Sequence, residues 1–184
     1  MRRPVTWALC LVGCLIVTGQ TQSQSAESAD AYRLGPIALA RSGPDAGVVG
    51  LGAFDAKDRR SARSGAANLE YRFGRKLFVI GPALGLVANL EGGLYGYFGL
   101  YADISVGPLV ISPQVAAGGY GRGDSEDLGG VFEFRETVDL SYRFGNGSRL
   151  GVRLAHISNA GLYDENPGLE EAYVVYSIPL GPLL

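Results

Sequence analysis

Between about residue 47 and residue 180, apolar side chains alternate with polar or small ones along most of the chain. The clearest stretch is 130–144, where Glu136 alone interrupts the apolar positions, which are Phe132, Phe134, Val138, Leu140, Tyr142 and Phe144. A period of two is typical of β-strands, because successive side chains point to opposite faces of a sheet. We therefore predict eight strands separated by turn-forming residues, at about 47–55, 66–74, 79–91, 94–107, 109–121, 130–144, 148–160 and 170–180.

The connections between these strands favour a membrane barrel over a soluble one. Alternation alone does not separate the two, since a soluble barrel turns the apolar face inward and a membrane barrel turns it toward lipid. The gaps 55–65 and 121–130 are long and polar, whereas 74–78, 107–109 and 144–148 are short. Long external loops and short periplasmic turns are typical of outer-membrane barrels. We predict an all-β, eight-stranded antiparallel transmembrane β-barrel of the outer membrane.

The N-terminus is predicted to be an export signal. Two arginines, Arg2 and Arg3, precede an apolar run over residues 7–17, which is too short to cross a bilayer comfortably. Small and polar residues follow, and cleavage is expected between Gly19 and Ala26. The predicted organisation is a signal peptide at 1–25, an N-terminal tail at 26–45 and the barrel at 46–184.

Composition narrows the class of protein further. The chain has 28 Gly, 10 Tyr and only 18% charged residues, against about 25% in typical globular proteins. Both cysteines, Cys10 and Cys14, lie in the predicted signal, so we expect no disulfides after cleavage. Acylation of Cys14 is an alternative, although the apolar run continues to Val17 and favours simple cleavage. The formal charge is −2 and no Lys or Arg cluster occurs, so a nucleic-acid partner is not expected.

The candidate chemistry lies at the end of the seventh strand. His156 is the one histidine of the sequence, which excludes metal sites that need several imidazoles, and we predict no metal site. Ser158 shares a strand face with His156, and a serine needs such a base to attack an ester. The same face carries Leu154 and points toward lipid. Glu170 is predicted near the outer end of the eighth strand, where it would complete a Ser-His-Glu arrangement.

These residues resemble the lipid A 3-O-deacylase (PagL) family. The stretches that carry the resemblance are His156–Leu162, Asn166–Glu170 and Tyr176–Leu180. The resemblance implies an eight-stranded outer-membrane barrel that hydrolyses the ester at position 3 of lipid A in lipopolysaccharide, without a metal or cofactor. On the matching positions it implies His156 as base, Ser158 as nucleophile, Glu170 as orienting acid and Asn159 as an oxyanion ligand.

Other charged residues have less specific interpretations. Asp164 and Glu165 could replace Glu170 as the acid, but their loop position favours solvated charges. The inward face is expected to carry paired charges that fill the lumen instead of a pore: Glu70, Arg72, Glu133, Arg135, Asp139, Arg143, Arg153 and Glu171. Two further hypotheses rest on charge and placement alone: lipid A phosphates bound by Arg59, Arg60 and Arg63, and a divalent cation bound by Asp124, Glu126 and Asp127.

Two other functions remain open at the level of the sequence. The first is a non-catalytic structural or adhesive outer-membrane barrel, in which the His-x-Ser motif is a coincidence. The second is a soluble periplasmic ligand-binding barrel with its apolar faces inward. Mass spectrometry of lipid A separates the enzyme from the first alternative, and membrane fractionation separates both from the second.

Overall fold

The structure is a computed structural model that describes residues 30–56 and 64–181. Within those residues the chain forms eleven β-strands: β1 (Ala31–Leu34), β2 (Ile37–Ala40), β3 (Asp45–Phe54), β4 (Ser64–Arg72), β5 (Ile80–Asn89), β6 (Leu94–Ala102), β7 (Ile104–Val106), β8 (Leu109–Gly121), β9 (Phe132–Arg143), β10 (Arg149–Ser158) and β11 (Leu169–Leu180). The described part of the chain contains no helix that is long and apolar enough to cross a membrane.

The strands close into one antiparallel barrel. Each of β3, β4, β5, β6, β8, β9, β10 and β11 pairs with the next in this order, and β11 pairs with β3. The short strand β7 continues β6 beyond Asp103 and also pairs with β8. The barrel wall therefore consists of eight strands, with β7 counted as the continuation of β6, and each predicted segment overlaps one of these strands. The prediction of an all-β, eight-stranded antiparallel barrel is confirmed.

The N-terminal region differs from the tail that its sequence suggested. Strands β1 and β2 form a hairpin around Gly35, which adopts a φ of +61°. Strand β2 also pairs with β7, so the hairpin extends the sheet beside the short turns. Each of its strands has four residues, which is too short for a period of two to stand out in the sequence. The predicted signal peptide lies outside the described residues.

The outer wall of the barrel is apolar. Along β10, Val152 and Leu154 are 52% and 65% exposed, whereas Arg153 between them is fully buried. The same alternation holds on β9, where Val138 and Leu140 face outward and Asp139 faces inward. This arrangement is the reverse of a soluble protein and matches a sheet whose surroundings are apolar.

Paired charges fill the middle of the lumen. Arg153 contacts Glu70 at 3.0 Å and Asp139 at 2.6 Å, and Arg72 contacts the same two carboxylates at 2.7 and 2.9 Å. These ion pairs fill the middle of the lumen with side chains, as expected for a barrel of eight strands.

Charges nearer the two ends of the barrel are less uniform. Arg135 contacts Glu171 at 2.6 Å inside the barrel. Glu133 is also buried, but its carboxylate has no hydrogen-bond partner among the described residues. Arg143 is only half-buried and donates to the carbonyl of Gly107 at 3.2 Å. The prediction that all inward charges are paired therefore holds for the centre of the barrel and not for Glu133.

Candidate active site

Two neighbouring strands bring His156 and Glu170 together on the outer wall. In the register of β10 with β11 the two residues are direct partners. The imidazole Nδ1 lies 3.9 Å from Glu170 Oε1, and the two side chains are 47% and 40% exposed. A small movement of either side chain would bring the pair to hydrogen-bond distance, which is about 2.7–3.2 Å for such atoms.

Ser158 lies two residues beyond His156 and ends strand β10. Buried Ala155 and Ile157 alternate with His156 and Ser158, so the imidazole and the hydroxyl project from the same outer face. The described residues include no hydrogen bond between the Ser158 hydroxyl and the imidazole. Catalytic hydrogen bonds are often long in a protein without its substrate and shorten when the substrate binds.

The site lies at the rim of the barrel where β10 ends and β11 begins. Ser158 is the last residue of β10, and Glu170 is the second residue of β11. Below these residues, buried Ile157 and Leu169 belong to an apolar cluster that fills this end of the lumen. The three candidate residues therefore stand on a firmly packed wall, and none of them turns into the lumen.

Asn159 is buried and its side chain hydrogen-bonds to two loops, the one between β8 and β9 and the one between β10 and β11. Its amide Nδ2 donates to the carbonyls of Leu128 and Glu165, both at 2.8 Å. Its Oδ1 accepts from the Gly161 amide at 2.9 Å, and its own N–H donates to Asn166 Oδ1 at 3.0 Å. Both amide hydrogens are thus engaged with backbone carbonyls. An oxyanion would bind Asn159 only in exchange for one of these two hydrogen bonds.

Glu136 is a neighbour of the site that the sequence analysis did not assign to it. It is the direct partner of His156 on β9, on the side opposite Glu170. An outer groove of about 650 Å³ runs beside this row of residues, and its wall includes Val115, Glu136, Val138, Leu154, His156 and Glu170. The signal in the sequence was the polar interruption of an otherwise apolar face, since a charge on that face is costly.

The remaining charged candidates lie apart from this site or have other partners. The side chains of Asp164 and Glu165 are exposed, as expected for loop charges, and Glu171 is buried in the lumen. Asp127 contacts Arg122 at 2.7 Å in a solvent-exposed pair. No group of three or more potential metal ligands occurs among residues 30–56 and 64–181. Arg59, Arg60 and Arg63 lie outside the described residues.

The fold and the candidate site together are those of a membrane barrel with the side chains of an ester hydrolase. A closed barrel with an apolar exterior carries a serine, a histidine and a glutamate on its outer wall, a set of groups found in ester hydrolases. The family model described as "Lipid A 3-O-deacylase (PagL)" matches residues 61–179. The chain belongs to this family, and the family prediction is confirmed.

Individual relatives agree with this assignment. The Lipid A deacylase PagL of Pseudomonas aeruginosa is 38% identical over 81 residues, which cover 44% of this chain and 47% of that protein. The protein of the same name from Bordetella bronchiseptica is 29% identical over 77 residues, which cover 42% and 39%. The chain thus matches less than half the length of these curated relatives.

A solved structure shares the fold. The crystal structure of the outer membrane enzyme PagL superimposes with a TM-score of 0.56 and 19% sequence identity, over 73% of this chain and 99% of that chain. At this level of identity the likeness establishes the barrel architecture alone.

Proposed function

We propose that this protein is an outer-membrane serine esterase that hydrolyses the 3-O-linked acyl chain of lipid A in lipopolysaccharide. The observation that carries the proposal is the placement of His156 beside Glu170, with Ser158 on the same outer face. Ionisable side chains are rare on a lipid-facing wall because they are costly there, so a group of them indicates a functional role.

The outer membrane is the environment that the exterior of the barrel favours. Apolar side chains cover the outside of the barrel strands, and an export signal is predicted at residues 1–25. In this proposal the ester bonds of the lipopolysaccharide meet the barrel at the rim where β10 ends. The groove beside His156 offers an apolar surface along which an acyl chain would lie.

In the first half of the proposed reaction the acyl chain is transferred to the enzyme. The Ser158 hydroxyl oxygen forms a bond with the acyl carbonyl carbon while His156 takes the hydroxyl proton. The carbonyl oxygen becomes an oxyanion, and Glu170 stabilises the imidazolium that has formed. The bond from the carbonyl carbon to the sugar oxygen then breaks, and His156 returns the proton to that oxygen. The products are a free sugar hydroxyl and an acyl ester on Ser158.

In the second half water releases the fatty acid. His156 removes a proton from a water molecule, and the water oxygen attacks the acyl carbonyl carbon. The bond to Ser158 breaks, the proton returns to its oxygen and the free fatty acid leaves. Every step uses side chains and water, so we propose no metal and no cofactor.

Asn159 is the proposed oxyanion ligand, on the basis of its place beside Ser158 and the family resemblance. One of its amide hydrogens would leave the carbonyl of Leu128 or Glu165 and donate to the oxyanion. An oxyanion accepts a stronger hydrogen bond than a neutral carbonyl does, so the exchange would favour the transition state over the bound substrate.

The test is mass spectrometry of lipid A from cells that express the protein or a variant. The wild type should produce lipid A that has lost one acyl chain, and Ser158→Ala should leave lipid A at full mass. Ser177→Ala is the control, because it makes the same change toward the other end of the barrel. Heat-dependent mobility on gels and membrane fractionation would show that each variant forms a barrel in the membrane.

The possible results separate the proposals. Deacylation by Ser158→Ala would contradict the serine mechanism. A folded wild-type barrel that leaves lipid A unchanged would favour the non-catalytic structural barrel instead.

A further inference from the structure

Gly168 leaves open the space beside the imidazole of His156 that a side chain would occupy. A Cβ atom added to Gly168 would lie 3.0 Å from His156 Cε1 and 3.4 Å from Nε2. Carbon atoms in favourable contact are about 3.5–4.0 Å apart. The same atom would lie 3.3 Å from the carbonyl oxygen of Ile157, so a side chain at this position would force the ring or the loop to shift by a few tenths of an ångström.

This contact lies on the edge of the ring that the chemistry needs to keep open. Glu170 approaches Nδ1, so Nε2 is the nitrogen that remains for the serine proton. We propose that Gly168 is a positioning residue: its missing side chain leaves the imidazole edge in its place and keeps Nε2 accessible to Ser158. The inference rests on the proposed role of His156 as base.

Gly168 lies two residues before Glu170, the proposed orienting acid, at the start of β11. Gly168 has a φ of +62°, a backbone conformation that residues other than Gly rarely adopt. The next residue, Leu169, is 1% exposed and anchors the start of β11 in the apolar cluster, and Glu170 follows. Gly168 thus leaves space for the ring, Leu169 holds the start of β11 in the barrel, and Glu170 supplies the carboxylate that faces the ring.

Three variants separate the contact with the ring from the cost of the backbone conformation. Gly168→Ala adds the Cβ and the backbone strain together. Gly168→Asn adds the same Cβ with less strain, since Asn is enriched in the left-handed region, and it serves if the Ala variant fails to fold. Gly35→Ala is the control, because Gly35 has a φ of +61° and no atom within 4 Å of its added Cβ.

The first measurement is the NMR spectrum of the imidazole in the resting protein. His156 is the one histidine of the sequence, so protein labelled at histidine and free of a histidine tag gives a single set of ring signals. Both Gly168 variants should shift these signals, whereas Gly35→Ala should leave them at the wild-type positions. Wild-type ring signals in both folded Gly168 variants would overturn the proposal.

The second measurement is deacylation of purified lipopolysaccharide in detergent micelles. The Gly168 variants should lose about tenfold or more in kcat with KM within about twofold, because a misplaced base slows chemistry more than binding. Wild-type kcat in Gly168→Asn would contradict the positioning role. If the wild type itself were inactive while the ring signals still shifted, the proposed function would fail and the contact would stand.

Discussion

Replacing Arg153 by Met would remove a cation that joins two buried carboxylates at the centre of the barrel. Arg153 lies 3.0 Å from Glu70 and 2.6 Å from Asp139, and its side chain is 0% exposed. After the change Arg72 alone would face both carboxylates, so two cations with two anions would become one cation with two anions. The excess negative charge would lie among buried side chains in the lumen.

The expected cost is large compared with ordinary protein stability. Removing one partner of a buried pair typically costs about 3–5 kcal/mol, and folded domains are stable by only about 5–15 kcal/mol. We expect a loss of this size in the free energy of unfolding. Adding Asp139→Asn to Arg153→Met would restore charge balance, and the double variant should regain about 1–2 kcal/mol or more of the loss.

The assay is urea unfolding of barrels refolded into detergent micelles, followed by circular dichroism and by mobility on gels without heating. Arg143→Met is the matched control, since this arginine is half-buried and donates to the carbonyl of Gly107. It should cost less than about 1.5 kcal/mol, the net value of one hydrogen bond. If Arg153→Met were no less stable than Arg143→Met, the central charges would not hold the barrel together as argued.

Two further predictions concern the outer site. Glu170→Ala should lower the rate of deacylation of purified lipopolysaccharide at least tenfold, because the Glu170 carboxylate lies 3.9 Å from Nδ1 of His156. Glu136→Ala should stay within about threefold of the wild-type rate. The reverse ranking would assign the orienting role to Glu136. Asn159→Ala should lower kcat about 100-fold and the free energy of unfolding by about 1–3 kcal/mol, since it removes an oxyanion donor and leaves the buried carbonyl of Leu128 without its partner. Unchanged kcat in a destabilised variant would restrict Asn159 to linking the loops.

The barrel could be predicted because its physical cause is local. A strand exposed to an apolar phase on one side and a filled lumen on the other must alternate, and β9 shows this over its whole length. The hairpin of β1 and β2 could not be predicted in the same way, since four-residue strands show no clear period and form only because β7 offers a free edge.

The residues of the candidate site also fall into two groups, those predicted by local alternation and those brought together by distant contacts. Alternation on one strand already places His156 and Ser158 on one face, because that relation depends only on the geometry of successive residues. The sequence by itself thus determined the strands, their faces and the pair on β10. It also placed Glu170 near the outer end of the next strand. Only the tertiary structure decided the register that pairs Glu170 with His156, and it brought Glu136 to the other side, Gly168 beside the ring and Asn159 into contact with two loop carbonyls. The physical reason is that register between strands and the closure of loops arise from contacts between residues distant along the chain, which no local pattern records.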